Sequence, residues 1–196
     1  MEPVRRIVGR ALPLAREDVD TDQIIPSHWL KRLARTGYGA GLFEAWRQDP
    51  DFVMNDLRYE GASILLAGPN FGCGSSREHA VWALRDAGFR AAISARFADI
   101  FKTNALRNGF VTVELDEAAV GRLVTAVRAD PATQIAIDVE QRTVAAPGLQ
   151  VRFAMADYAQ ARLLEGLDDI GVTLRHEPQI AEYESRRPAW LPRVRG

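Results

Sequence analysis

The run Gly68-Pro69-Asn70-Phe71-Gly72-Cys73-Gly74-Ser75-Ser76-Arg77-Glu78-His79 limits what this chain can fold into more than any other stretch. Before it stands Ala62-Ser63-Ile64-Leu65-Leu66-Ala67, a short apolar run of the length of a buried strand. After it Ala80, Ala83, Leu84 and Ala87 recur at i, i+3, i+4 and i+7, one face of a helix, and Gly88 stops that helix. The glycine-rich run is thus a turn from a strand into a helix N-terminus. Ser75-Ser76-Arg77-Glu78 fits a capping box, with Ser75 as N-cap and Glu78 reaching back to the Ser75 backbone N–H. Helix N-termini present unpaired N–H groups and the positive end of the macrodipole, so they attract anions. Two hydroxyls and a guanidinium alongside make the turn a candidate site for a carboxylate or a phosphate.

The familiar phosphate and hydrolase motifs do not fit. A P-loop needs a Lys that this turn lacks. A dinucleotide fingerprint begins at Gly72 and Gly74 but meets Arg77 where its third glycine belongs. A serine-hydrolase elbow would need glycine where Glu78 stands. Lys+Arg 25 against Asp+Glu 26 leaves no whole-molecule field for nucleic acid or a membrane surface. One cysteine forbids an intrachain disulfide and cannot build a metal cage, which suits a reducing cytosol. No apolar run reaches the ~18 residues of a spanning helix, and the N-terminus lacks a signal-type core. These features describe a soluble cytoplasmic protein, and 196 residues at 47% hydrophobic content fill one core, a single domain over 1–196.

Along the chain, residues 6–12 read as an edge strand that Pro13 ends. Asp18, Asp20 and Asp22 alternate, yet a calcium loop would need glycine at Gln23 and glutamate at Trp29, so they read as Asx caps before a helix beginning at Pro26. Lys31-Arg32-Leu33-Ala34-Arg35-Thr36-Gly37-Tyr38-Gly39 reads as a mobile basic loop, residues 41–46 as a short packed helix, and residues 48–60 as a polar connector. A second strand over 89–94 completes a parallel βαβ unit with the first. Phe97, Ile100 and Phe101 form a helical stripe, residues 111–115 a third strand, and Asp116 caps a helix whose apolar face is Val120, Leu123, Val124 and Val127. Ile135, Ile137 and Val139 alternate with polar residues, as do Leu149, Val151 and Phe153, and the two runs read as an antiparallel pair about a Pro147-Gly148 turn. A helix over 158–165 stops at Gly166, and residues 175–196 form a polar, Arg-rich tail. The architecture expected is α/β, a mixed sheet of about five to seven strands flanked by helices.

Serine becomes a base only where donors stabilise its alkoxide, and Ser75 at a helix N-terminus beside Arg77 is so placed. Arg77 is also suited to clamp a carboxylate bidentately, and the glycine amides to form an anion nest. The plain structural alternative stays open: Ser75 caps, Glu78 completes the box, and Arg77 pairs with a surface acid.

Gly72-Cys73-Gly74-Ser75-Ser76-Arg77-Glu78-His79-Ala80 closely resembles the swivel-domain motif of the aconitase superfamily. Asp20-Thr21-Asp22-Gln23-Ile24-Ile25-Pro26, the basic loop, Gly166-Leu167-Asp168-Asp169-Ile170-Gly171 and Arg187-Pro188-Ala189-Trp190-Leu191-Pro192 are similar to its small-subunit branch, that of the 3-isopropylmalate dehydratases. The resemblance implies an aconitase-like swivelling β/β/α domain and a dehydration–rehydration of a hydroxy-diacid. It implies Ser75 as the general base, Arg77 as the holder of a substrate carboxylate, Ser76 as a hydrogen-bonding aid and Gly74 as part of the binding turn. Arg32 or Arg35 would meet the second carboxylate, or the loop is a solvated cationic surface facing a partner. Asp20 and Asp22 would orient Arg77, or simply make a turn. Cys73 is expected to pack or to line the cleft without binding metal, and His79 to pack on its helix. No cofactor is expected on this chain: the family's [4Fe–4S] cluster, whose open iron is a Lewis acid for the departing hydroxyl, sits on a large-subunit partner. Val81 and residues 110–113 and 158–161 depart from the family pattern, so homoaconitate, citraconate or dimethylmalate remain alternative substrates, and a non-catalytic anion-binding module an alternative role.

Overall fold

The apolar β-rich runs assemble into one seven-stranded sheet of order β4-β3-β2-β1-β5-β6-β7. Its strands are β1 (Arg6–Pro13), β2 (Ile64–Leu66), β3 (Ala91–Ser94), β4 (Val111–Glu114), β5 (Gln134–Asp138), β6 (Thr143–Ala146) and β7 (Leu149–Arg152). The helices are α1 (Thr21–Ile24), α2 (Glu78–Asp86), α3 (Asp99–Arg107), α4 (Glu117–Ala129), α5 (Asp157–Glu165), α6 (Asp169–Leu174) and α7 (Glu177–Arg186). The computed structural model describes residues 1–32, 36–75, 77–188 and 190–191.

The sheet changes character at β1. Residues 6–10 of that strand pair antiparallel with β5, whereas Ala11, Leu12 and Pro13 pair in parallel with Ile64, Leu65 and Leu66 of β2. β2, β3 and β4 continue in parallel, and β5, β6 and β7 form an antiparallel meander. Burial follows the same division: β2 and β3 are buried along their whole length, while β5 alternates. Parallel strands covered on both faces read as continuous apolar runs, and antiparallel strands with one wet face alternate. β1 does both, which explains its mixed pattern, and it is the centre of the sheet rather than the expected edge. α4 lies across β1, β2 and β3, α2 packs on α3, and α3 packs on β4 and α5.

The β2–α2–β3 unit forms as expected, with β2 and β3 parallel. α4 starts at the expected cap, Asp116 accepting from Ala119 N at 2.7 Å, and α5 ends at Gly166 in the left-handed region. Five further expectations need correction. The runs around Ile137 and Val151 are not direct partners, because β6 lies between them and the Pro147-Gly148 turn joins β6 to β7. Thr143-Val144-Ala145-Ala146 is too short and too mildly apolar to announce a strand. Pro26 leads into a 3-10 turn over Ser27–Lys31, and residues 41–46 make a packed turn that buries Leu42 and Phe43 between 3-10 segments Tyr38–Gly41 and Trp46–Gln48. Ile100 points outward, 59% exposed, so Phe97 and Phe101 carry the stripe without it. The tail is helical as far as Arg186; α7 buries no residue, so no core periodicity announces it in the sequence.

Candidate active site

Residues 18–22 and 69–75 run side by side, laced by backbone hydrogen bonds. Asp18 N donates to Pro69 O at 3.0 Å, Gly72 N and Cys73 N donate to Val19 O at 2.8 and 3.1 Å, and Thr21 N donates to Cys73 O at 3.2 Å. Asn70 Nδ2 donates to Asp18 Oδ1 at 2.8 Å. Such close approach requires small residues. A Cβ on Gly68 would lie 2.3 Å from Arg16 O, and one on Gly72 would lie 2.4 Å from the Phe101 ring. Gly72 and Gly74 both have left-handed backbones, φ +77° and +81°, which turn the chain out of β2 and expose Gly74 and Ser75.

The capping box forms in a different place from the one expected. α2 begins at Glu78 with Arg77 as its N-cap, extended at φ −116° and ψ 133°, and the Arg77 side chain makes no capping bond. Ser75 stands before that boundary, so it is not the N-cap of the helix. Instead, Asp20 caps α1: its Oδ1 accepts from Gln23 N at 2.7 Å, and Gln23 Oε1 accepts from Asp20 N at 2.9 Å. Spacing alone could not separate the two, because an acid or hydroxyl followed three residues later by Glu or Gln occurs in both places.

α1 then grips the turn. Thr21 Oγ1 donates to Ser75 O at 3.2 Å, and the Arg77 guanidinium forms an ion pair with Asp22. Arg77, Asp22, Gly74 and Ser75 are therefore gathered on one structure, with the Arg77 side chain only 23% exposed. Asp20 belongs to the same structure but caps α1 rather than pairing with Arg77. Thr21, between two conspicuous aspartates, escaped notice because a single threonine carries no spacing signal. Ser76 and Arg35 lie outside the described residues. Arg32 is held within its own loop. Its Nη1 donates to Gly37 O at 3.1 Å, and its guanidinium lies 4.9 Å from the Trp29 ring centroid. The loop stem returns to α2 through Tyr38, which is fully buried. The Tyr38 ring lies 5.3 Å from His79 and 5.6 Å from Trp82, and its N–H donates to Asp86 Oδ2 at 2.8 Å.

Two titratable side chains of the motif, Cys73 and His79, are shifted by their surroundings. Burial pushes the Cys73 thiol up, and the neighbouring Asp20 and Asp18 charges push it further, so it stays protonated at neutral pH. Burial holds His79 below the ordinary imidazole value, with Arg77 acting in the same direction and Glu78 against it. Among the described residues no three His, Cys, Asp or Glu side chains converge to hold a metal. A cavity of about 650 Å³ is lined by Glu78, Trp82, Arg85 and Asn108 but not by Ser75 or Arg77. Ser75 itself is exposed beside this cavity's helix, α2.

Comparisons with known proteins identify the family and the fold. Residues 1–118 match the aconitase C-terminal domain family, and residues 169–196 match the C-terminal domain of the 3-isopropylmalate dehydratase small subunit. The chain is 57% identical over 194 residues to the 3-isopropylmalate dehydratase small subunit of Rubrobacter xylanophilus, covering 99% of this chain and 100% of the relative. It is 59% identical to that of a Parafrankia species over 192 residues, 98% of each chain. In fold it is similar to a crystal structure of 3-isopropylmalate dehydratase from Methanocaldococcus jannaschii, with a TM-score of 0.67, 24% identity, and coverage of 90% of this chain and 98% of that one. With the aconitase-type fold, the Ser75–Arg77 turn and relatives matched from end to end, the chain belongs to the 3-isopropylmalate dehydratase small-subunit family.

Proposed function

We propose that this chain is the small subunit of a heteromeric hydro-lyase that interconverts 2-isopropylmalate and 3-isopropylmalate through isopropylmaleate, in leucine biosynthesis in the cytoplasm. One observation carries the reading: Ser75 is exposed at the entrance to α2 while Arg77, two residues on, is oriented by Asp22. End-to-end similarity to proteins named as small subunits of this enzyme supports the substrate.

In this reading Ser75 is the general base. It removes the proton alpha to a carboxylate, the electron pair forms the carbon–carbon double bond, and the carbon–oxygen bond breaks to release hydroxide, which takes up a proton from solvent to become water; rehydration with the opposite regiochemistry completes the isomerisation. An alkoxide at Ser75 is favoured by the adjoining guanidinium and by the N–H groups at the start of α2. Arg77 uses one nitrogen on Asp22, and its remaining donors are available for a substrate carboxylate. Gly74 contributes backbone to the binding turn, and Ser76 a hydroxyl. Arg35, or Arg32 once released from Gly37, meets the second carboxylate. A [4Fe–4S] cubane needs several thiolates and this chain has one cysteine, so its residues do not fit the cluster, which a large-subunit partner would bring. The open face at Ser75 is where that partner would complete the site.

The test is to mix the chain with an anaerobically reconstituted, cluster-bearing large subunit and follow isopropylmaleate by its ultraviolet absorbance. Wild type is expected to turn over only in the mixture, and Ser75→Ala to lose about 10²–10⁴-fold in kcat, the range of a positioned general base. Undiminished turnover by Ser75→Ala would remove the base assignment. Turnover of another alkyl malate in place of isopropylmalate would move the chain to a sibling substrate.

A further inference from the structure

The N-cap residue of α2 makes no capping bond, and the side chain that holds the helix's first turn comes from another helix. Asn108, the residue that closes α3, reaches across to α2. Its Nδ2 donates to Glu78 Oε1 at 2.8 Å and to Asn104 O at 2.8 Å, and its Oδ1 accepts from Trp82 Nε1 at 3.0 Å. The amide has only one orientation that works, since an indole N–H can only donate and a carboxylate can only accept. Glu78 immediately follows Arg77, and Trp82 lies one helical turn beyond it, so one amide ties down two successive levels of α2. From the other side α1 holds the same turn through Thr21 and Asp22. The Ser75–Arg77 turn is thus suspended between two anchors, of which the sequence motif contains neither.

We propose that Asn108 is a positioning residue for the reaction. Clamped to α3, it keeps the N-terminus of α2 in the register that presents Ser75 and the first helical N–H groups to the substrate. This inference deepens the function proposed above and rests on it. Arg77 keeps its independent anchor on Asp22, so losing the clamp leaves carboxylate binding largely intact and disturbs alignment. Misplacement of this kind is read mainly in kcat.

The experiment exchanges donor for acceptor across the clamp. Asn108→Asp removes both donors and sets a carboxylate against Glu78. Adding Glu78→Gln to that variant restores the donor–acceptor pair between the two helices with reversed polarity; the Trp82 indole keeps its acceptor, and only the bond to Asn104 O, internal to α3, stays lost. In the reconstituted holoenzyme, Asn108→Asp is expected to lower kcat about tenfold with KM changed less than about threefold, and the double variant to return to within about threefold of wild type. Amide hydrogen exchange over residues 78–82 should speed up in Asn108→Asp and slow again in the double variant, a readout independent of turnover. The proposal is overturned if Asn108→Asp turns over like wild type with only its melting temperature lowered, or if the double variant is no better than the single one. If instead wild type is inactive with the large subunit while exchange follows the predicted pattern, the clamp stands as structure and the functional reading fails.

Discussion

Gly72 and Gly74 stand two residues apart with nearly the same backbone, yet they differ in what a side chain would meet. A Cβ at Gly72 would enter the Phe101 ring at 2.4 Å, whereas at Gly74 the nearest atom is Asp20 Cβ at 3.5 Å, an ordinary contact. Gly72→Ala therefore combines left-handed strain with overpacking of a buried ring and should destabilise by about 2–5 kcal/mol. Gly74→Ala carries the strain alone, about 1–2 kcal/mol. Urea midpoints of the two variants decide the matter; equal losses would show that the Phe101 contact is not the constraint. Asn70 occupies the same left-handed region at φ +59°, which asparagine tolerates better than most residues, and its side chain is fixed there by a bond to Asp18, 52 residues away.

At the scale of elements, α2 is the piece on which the others converge. α1 holds its entrance through Arg77, α3 holds its first turn through Asn108, and the stem of the basic loop packs on it through Tyr38, with Gly39 against the Asp86–Ala87 backbone. His79 lies inside that last contact, its ring 4.7 Å from Trp82 and 5.3 Å from Tyr38. Burial lowers its pKa below 6.5, so as pH falls the unfolded chain takes up this proton before the folded one does. The associated stability is present in full above the ordinary imidazole value and is lost as pH drops through and below it. Wild type should accordingly lose more stability between about pH 7.5 and 5.5 than His79→Gln, measured by urea denaturation at each pH. Parallel curves for the two proteins would show that the ring titrates as freely folded as unfolded.

Across the whole molecule, β1 is the member shared by both halves of the sheet, and its order of pairing makes the parallel and antiparallel parts interdependent. We expect the chain to unfold as one unit for this reason. Ile7, 1% exposed on β1 opposite Ile137, tests it: Ile7→Ala should cost about 2–5 kcal/mol and shift circular dichroism and tryptophan fluorescence transitions together. Separated transitions would divide the molecule into independently stable parts. Local order was readable in the sequence wherever neighbours in the chain settle it. The buried run of β2, the i, i+3, i+4 face of α2, the Asp116 cap and the Gly166 stop are all such cases, because burial periodicity and cap chemistry act within a few residues. The glycine-rich turn and its anion-seeking composition were readable for the same reason. Only the tertiary structure decided that β1 is central, since an edge and a junction strand differ in their partners and not in their own residues. It alone decided that β6 intervenes between β5 and β7, and that the capping box serves α1 and not α2. The anchors of the candidate site, Asp22, Thr21 and Asn108, lie 55, 54 and 30 residues from Arg77, Ser75 and Glu78, the groups they hold. Contacts over such separations come from the folded sheet and helices, which bring together side chains that no local pattern relates.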